Sequence, residues 1–264
     1  PAGLMAALTA AKSGLDVILA DEDFTLGGRL NSETYEINGK PGRDWAAEAV
    51  AELAALDNVR LMPRTTVTGA YDGGTYGALE RVSHHLAKAP DHAPLETFWR
   101  IAAKRCILAG GAIERPIAFP NNDRPGVMMA GAVRSYVNRF AVAPGQSVSI
   151  FTNNDDGHRT AADLHAAGVR IAAVVDTRPD AAITGDYPIL TGGQIVGTSG
   201  RLGLSEISVR TGSGTKAIKT DCLGVSGGWN PSVHLTCHMN GRPVWREDIA
   251  AFVPAEGAIP GLTV

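Results

Sequence analysis

Two hydrophobic periods alternate along this chain. In residues 1–14 Leu4, Ala7, Leu8 and Ala11 recur at helical spacing, and Gly14 follows as a helix-closing residue. Asp16-Val17-Ile18-Leu19-Ala20 then reads as a buried strand that ends in Asp21-Glu22, and a loop follows with the doublet Gly27-Gly28. A second helical pattern covers residues 44–56, with Asp44 as its expected cap, and Val59–Met62 is a short strand. From residue 65 the pattern changes. Thr65-Thr66-Val67, the segment from Tyr76, and Phe98–Ile101 predict strand after strand, a small antiparallel meander that ends in Cys106–Ala109 and Gly110-Gly111.

A second strand–helix–strand unit follows. A helix over Ala130–Val142 precedes a strand at Ser147–Phe151, a helix at Arg159–Ala167 and a strand at Val169–Val175 that ends at Asp176. A Gly/Ser-rich meander runs from Thr191 to Thr220, and Asp221–Ser226 returns as an apolar strand. Two βαβ-like units of similar layout predict an α/β protein. The expected fold is an FAD/NAD(P)-binding Rossmann-like fold with a second, inserted Rossmann-like domain and β-meanders. The expected division is 1–116 for the first dinucleotide-binding domain, 117–222 for the inserted domain, and 223–264 for a return to the first. The chain opens on a helix pattern with no strand before it and ends on the strand-like Gly261–Val264, so a fragment of a larger protein is expected.

Composition narrows the partners. The 264 residues are 44% hydrophobic and 19% charged, with a net charge of −3, values of a globular protein without the basic excess of a nucleic-acid binder. No apolar run is long enough for a membrane span. The three cysteines, Cys106, Cys222 and Cys237, form no CxxC pair, which fits a reducing cytoplasm and neither a disulfide framework nor a zinc or iron–sulfur site.

The first unit carries the chemistry. A dinucleotide fold needs glycines where a strand turns into a helix, so that backbone amides and the helix N-terminus can face a pyrophosphate. Only the tail of that fingerprint stands here, Ala2 and Gly3. Asp21 follows at the end of the next strand, where an acid accepts hydrogen bonds from an adenosine ribose and favours NAD or FAD over NADP. The plainer reading of Asp21-Glu22 is a solvated loop. Leu26-Gly27-Gly28-Arg29-Leu30 favours the nucleotide, because a glycine doublet lets the chain pass close to a pyrophosphate and Arg29 can reach a phosphate.

The second unit lacks the glycines. After Phe151 comes Thr152-Asn153-Asn154-Asp155-Asp156-Gly157-His158, with two carboxylates suited to helix capping where a phosphate would sit. Asp176 keeps the ribose-acid position, so the fold is expected to persist with its binding role weakened. His158 reads as a cap-region residue, and Trp229 and Trp245 as covers for core edges. His84-His85 and the His234, Cys237, His238 group lack the further ligands that a metal site needs. No catalytic set of Ser, His and Asp or of paired carboxylates assembles.

Several segments together resemble one family. They are Pro1-Ala2-Gly3-Leu4, Ala20-Asp21-Glu22, Leu26–Leu30, Ile107–Pro116, Phe119–Met128, Phe151–Asp156 and Val225–Pro231. The chain resembles, over essentially its whole length, the alpha subunit of heterotetrameric sarcosine oxidase. The most specific of these segments are Asn153–Asp156 and Ser226–Pro231; the glycine motifs are shared with many pyridine nucleotide–disulfide reductase-like folds. The resemblance implies oxidative demethylation of sarcosine to glycine, with hydrogen peroxide formed and a one-carbon unit passed to tetrahydrofolate in a separate C-terminal domain. It implies NAD in the first unit, FAD and the sarcosine site on a beta subunit, FMN between the two, and two further small subunits. Carried over by motif, Ala2, Gly3, Asp21, Glu22, Gly28, Arg29 and Leu30 line the nucleotide site, with Thr66 and Val67 near the adenine and Ala109-Gly110 beside it. The family's Ala-Thr-Gly is Ala109-Gly110-Gly111 here, a departure at that contact. A self-contained FAD-dependent NAD(P)H oxidoreductase and another amine or amino-acid dehydrogenase subunit are the alternatives.

Overall fold

The computed structural model describes residues 1–255, 257 and 259–264. Its contacts divide the chain into two units. The first holds Pro1–Asn31, Tyr35–Ala112 and Pro231–Val264; the second holds Ser32–Thr34 and Ile113–Asn230.

In the first unit, helix α1 (Ala2–Lys12) buries Leu4, Ala7, Leu8 and Ala11, the stripe that the periodicity predicts. It ends at Lys12, with Gly14 left-handed at φ 82°. Strand β1 (Val17–Ala20) follows. Helix α2 (Gly42–Ala54) presents Ala46, Ala49 and Leu53 to α1, and Leu26 and Leu30 of the intervening loop close the same core. Asp44 is not the cap: α2 begins two residues earlier, after Pro41, and Asp44 lies in its first turn, where a carboxylate is favoured by the positive end of the helix dipole. Proline suits this start because the first amides of a helix have no intrahelical partner to lose.

Strand β2 (Val59–Met62) pairs in parallel with β1, Val17 to Val59 through Ala20 to Met62. The meander is β3 (Thr65–Tyr71), β4 (Thr75–Glu80) and β5 (Thr97–Ala102), antiparallel, with β3 on the edge and a bulge between Val67 and Gly69. Strand β6 (Cys106–Ile107) pairs in parallel with Leu262–Thr263. His84-His85 lie in an irregular turn segment between β4 and β5.

The second unit is a layered α/β structure. Its strands include β7 (Val127–Met129), β8 (Ser147–Thr152), β9 (Arg170–Asp176), β10 (Ile189–Thr191), β11 (Gln194–Ser199), β12 (Glu206–Thr211), β13 (Gly214–Lys219) and β14 (Cys222–Ser226). A five-stranded parallel sheet has the order β7-β14-β8-β9-β10. Every residue of β14 is buried, as expected for a parallel strand covered on both faces. Helices α3 (Ala130–Phe140) and α4 (Asp155–Ala166) pack with Val133, Val148, Ile150, Leu164 and Val174 in one core. The antiparallel β11-β12-β13 sheet supplies Ile195, Ile207 and Val209 to a second core with Phe151, Val175, Leu223 and Val225. Helix α4 starts four residues before the expected Arg159, because Asn154 caps it: its side chain accepts the amide of Asp156 at 3.0 Å. Asp155 and Asp156 are therefore first-turn residues rather than caps.

Candidate functional site

The start of α1, the end of β1 and the glycine doublet converge in the first unit. A Cβ on Gly3 would stand 3.4 Å from the Cβ of Ala109 and 3.8 Å from Leu19, so the helix meets the strand ends at backbone distance. Gly28, left-handed at φ 56°, comes back to Pro1, where an added Cβ would lie 3.8 Å from the proline ring. Gly27 has φ 138°, and an added Cβ there would meet Asn31 Oδ1 at 2.9 Å and Ala46 at 3.1 Å. Only glycine holds that conformation without moving the loop. The structure thus brings together Ala2, Gly3, Gly28 and Ala109, all glycine or alanine, the residue types that let a backbone approach a pyrophosphate.

Asp21 follows β1 directly. Its amide donates to Met62 O at 3.1 Å, its carbonyl accepts the amide of Thr65 at 2.8 Å, and its carboxylate accepts the amide of Asp23 at 3.0 Å. These bonds tie it to β2 and to the first residue of β3, which carries Thr66 and Val67 onward, both half-buried. Burial pushes the Asp21 carboxyl above the usual range; the Asp23 amide opposes this, and repulsion from Asp23 and Glu22 adds to it. Glu22 is exposed. Arg29 is exposed in the 3₁₀ turn Gly28–Asn31, while the Leu30 side chain in that turn belongs to the core. Gly110 stands beside Ser232, whose Cβ an added Cβ would meet at 3.5 Å.

The sequence reading missed one neighbour of this site. Arg64, left-handed at φ 53°, donates its amide to Asp23 O at 2.9 Å and lies over the Phe24 ring at 5.8 Å. The available signal was its place one residue before Thr65, at the turn that joins two strands on the ribose-acid side.

The corresponding place in the second unit is differently built. Asp176 ends β9 fully buried. Its Oδ2 lies 2.6 Å from His158 Nε2 and accepts Arg178 Nη2 at 2.8 Å, and its Oδ1 accepts the Arg178 amide at 2.8 Å. Burial alone would raise this carboxyl, but the hydrogen bonds from Arg178 and His158 outweigh it and hold the group below the usual carboxylate range. The Arg178 guanidinium is stabilised as a cation chiefly by Asp176. His158 is therefore no cap-region residue: it lies within α4, buried, against Asp176.

The two first-turn carboxylates also have arginine partners. Asp155 pairs with Arg178 at 2.8 Å, and Asp156 with the buried Arg134 at 3.4 Å. Each carboxylate thus has an arginine partner, but Arg178 is shared with Asp176, and Arg134 with Glu33 and Asp163. Asn154, besides capping α4, donates to Ser226 O and Oγ, both at 3.1 Å.

Other sequence candidates fall elsewhere. Trp245 does not cover a core edge; it stands half-exposed on a hairpin, Val244–Arg246 with Ala251–Val253, against Phe252 at 5.1 Å. Among the described residues no group of three or more His, Cys, Asp or Glu side chains gathers as a metal site. Cys222 is buried and its thiol is pushed up to about 12 by burial, with Asp221 adding to it, so it is no nucleophile at neutral pH. No helix among the described residues is long and apolar enough to cross a membrane.

No protein-family model matches the chain. Curated relatives do. The alpha subunit of sarcosine oxidase from Rhizobium meliloti strain 1021 is 47% identical over 266 aligned residues, covering 100% of this chain and 27% of the relative. The same subunit from Corynebacterium sp. strain P-1 is 40% identical over 96% of this chain and 28% of its own length. The chain thus spans little more than a quarter of the length of these two relatives. Among solved structures, L-proline dehydrogenase from P. horikoshii superposes with a TM-score of 0.76 at 22% identity, over 99% of this chain and 47% of that one, which establishes the shared fold. The two-unit Rossmann-like α/β fold and the residue-level likeness agree: over its whole length the chain belongs with the alpha subunits of sarcosine oxidase, as the homologue of one segment of them.

Proposed function

We propose that the first unit holds an ADP-containing dinucleotide, NAD, and that it does so as part of a sarcosine oxidase alpha subunit. The observation that supports this most is the convergence of Gly3, Gly28 and Ala109 beside Asp21. Helix α1 directs its N-terminal amides at the pyrophosphate. Arg29 adds a cation to it. Asp21 accepts the adenosine ribose hydroxyls, and Glu22 and Asp23 beside it oppose a 2′-phosphate, so NAD is favoured over NADP. Thr66 and Val67 of β3 lie along the adenine, and Leu30 holds the phosphate loop to the core.

The second unit, in this reading, keeps the fold and holds no dinucleotide. Its ribose acid is committed to Arg178 and His158, and one first-turn amide of α4, that of Asp156, is capped by Asn154.

The wider reaction proposed here is the one that the resemblance to sarcosine oxidase implies. The assembled oxidase demethylates sarcosine to glycine and passes the electrons to oxygen. Bound flavin supplies that redox chemistry, with FAD and the sarcosine site on a beta subunit, FMN between alpha and beta, and two small subunits completing a cytoplasmic complex. This chain contributes nucleotide holding and docking. Release of the bound cofactor by denaturation, followed by mass analysis, tests the first part. NAD is expected; FAD as the only nucleotide would replace this reading with that of a flavin-bearing reductase. Sarcosine-dependent peroxide is expected only on coexpression with a beta partner, and its release by this chain alone would move the catalytic site here.

A further inference from the structure

Edge strand β3 is fastened in an unusual way just beyond its bulge. The Ala70 amide, which an edge strand would leave open, donates to His238 Nδ1 at 3.1 Å. Ala70 is buried with Tyr76, Ile259 and Leu262, so water does not readily replace the ring as an acceptor. A backbone amide can only donate. The bond therefore requires an imidazole with a bare Nδ1, its proton on Nε2. The protonated ring carries hydrogens on both nitrogens, and Nδ1–H would then face the Ala70 N–H.

Two further observations bear on how this contact responds to a proton. Met239 at φ 55° and Asn240 at φ 66° follow His238 directly, two successive left-handed residues without the freedom of glycine. Such a turn persists only while its surroundings hold it. Among the described residues, the two elements that pack most against the His238 turn carry no carboxylate. Strand β3 carries Tyr71 as its titratable group, and the helical turn His234–Cys237 carries His234 and Cys237; neither element has a carboxylate.

We propose that His238 is a proton-sensitive latch that fastens the Ser232–Asn240 segment to β3 just beyond its bulge and releases it when the imidazole is protonated. Histidine is the side chain whose charge changes within the physiological range. Release frees the edge of β3 three residues beyond Val67. Its consequence, weaker dinucleotide binding in acid, rests on the reading of Thr66 and Val67 given above; the latch itself does not.

Hydrogen exchange at Ala70 in the full-length chain, without nucleotide and corrected for intrinsic exchange rates, tests it between about pH 8 and pH 5. Protection in the native protein should fall about tenfold on acidification, the loss of one hydrogen bond. His238→Asn, which keeps an acceptor that does not titrate, should hold its protection at both pH values, and His238→Phe should be poorly protected at both. Constant protection in the native protein, or an equal fall in His238→Asn, would overturn the latch. Nitrogen NMR of the native ring gives an arm without variants: a proton on Nδ1 at the upper pH contradicts the proposal. Because no nucleotide is present, failure here leaves the dinucleotide reading intact, and failure to bind NAD leaves the latch intact.

Discussion

Asp21 and Asp176 stand in like places in the two units, at the end of the strand that follows a helix, α1–β1 and α4–β9, and their surroundings give them opposite characters. Asp21 is half-buried, its carboxylate is met by the Asp23 amide, and burial raises its pKa. Asp176 is fully buried, is bonded to Arg178 and His158, and has a lowered pKa. The first carboxylate is disfavoured as an anion by its own protein, which in the proposed reading a bound ribose would relieve. The second is stabilised by its own protein. A motif position therefore says which residue stands there, and the groups around it decide whether it serves a ligand or the fold.

The largest expected effect lies in the second unit. Asp176→Ala leaves the buried His158 without its acceptor and Arg178 with Asp155 alone, and loss of one member of a buried ion pair costs about 3–5 kcal/mol. Chemical denaturation should show a loss of that order, with NAD affinity unchanged in whatever fraction stays folded. A loss below about 1 kcal/mol would place Asp176 among surface pairs and remove the contrast. In the first unit Asp21→Ala should do the reverse. Binding of NAD should weaken by about 1.5–3 kcal/mol, the loss of a charged acceptor. Stability without ligand should hold or rise slightly, because folding disfavours the ionised Asp21. Calorimetry and melting on the same samples read both quantities.

The pH dependence sharpens the sign. Asp176 is lowered on folding, so its contribution is fully present above the unfolded carboxyl pKa of about 3.9 and is lost as pH falls through the lower folded value. The stability gap between native protein and Asp176→Asn should therefore close below about pH 4. Asp21 is raised, so the unfavourable charge disappears as pH falls through its folded value, and the gap for Asp21→Asn should close at a higher pH than the gap for Asp176→Asn. The smallest effect is reserved for a surface pair. Lys12–Glu52, at 2.6 Å with both side chains about half exposed, should cost no more than about 0.5 kcal/mol on Lys12→Met, by thermal melting.

Much of the first unit was legible in sequence because its signals are local. The stripe Leu4, Ala7, Leu8, Ala11 fixes α1, and the β-branched run at Thr65-Thr66-Val67 fixes the start of the meander. The parallel pairing of Val17–Ala20 with Val59–Met62 follows from two short apolar runs flanking a helix. What sequence could not supply are pairings across long separations. His158 and Asp176 look like a cap and a ribose acid until α4 and β9 are set side by side. Arg134 meets Asp156 across 22 positions, and His238 meets Ala70 across 168, with no periodicity to announce either contact. The helix starts were misplaced for a related reason. Pro41 and Asn154 begin α2 and α4, and the nearby aspartates look like caps while serving the first turn.

The central claim, one dinucleotide held beside Asp21 and none beside Asp176, is tested most directly by a structure of the protein with saturating NAD, accompanied by a binding stoichiometry. The account predicts one NAD per chain, with its pyrophosphate at Gly3 and Gly28, its ribose on Asp21, and the Arg178–Asp176 pair undisturbed. A second NAD at residues 153–158, or a single one there with Arg178 swung away from Asp176, would contradict it.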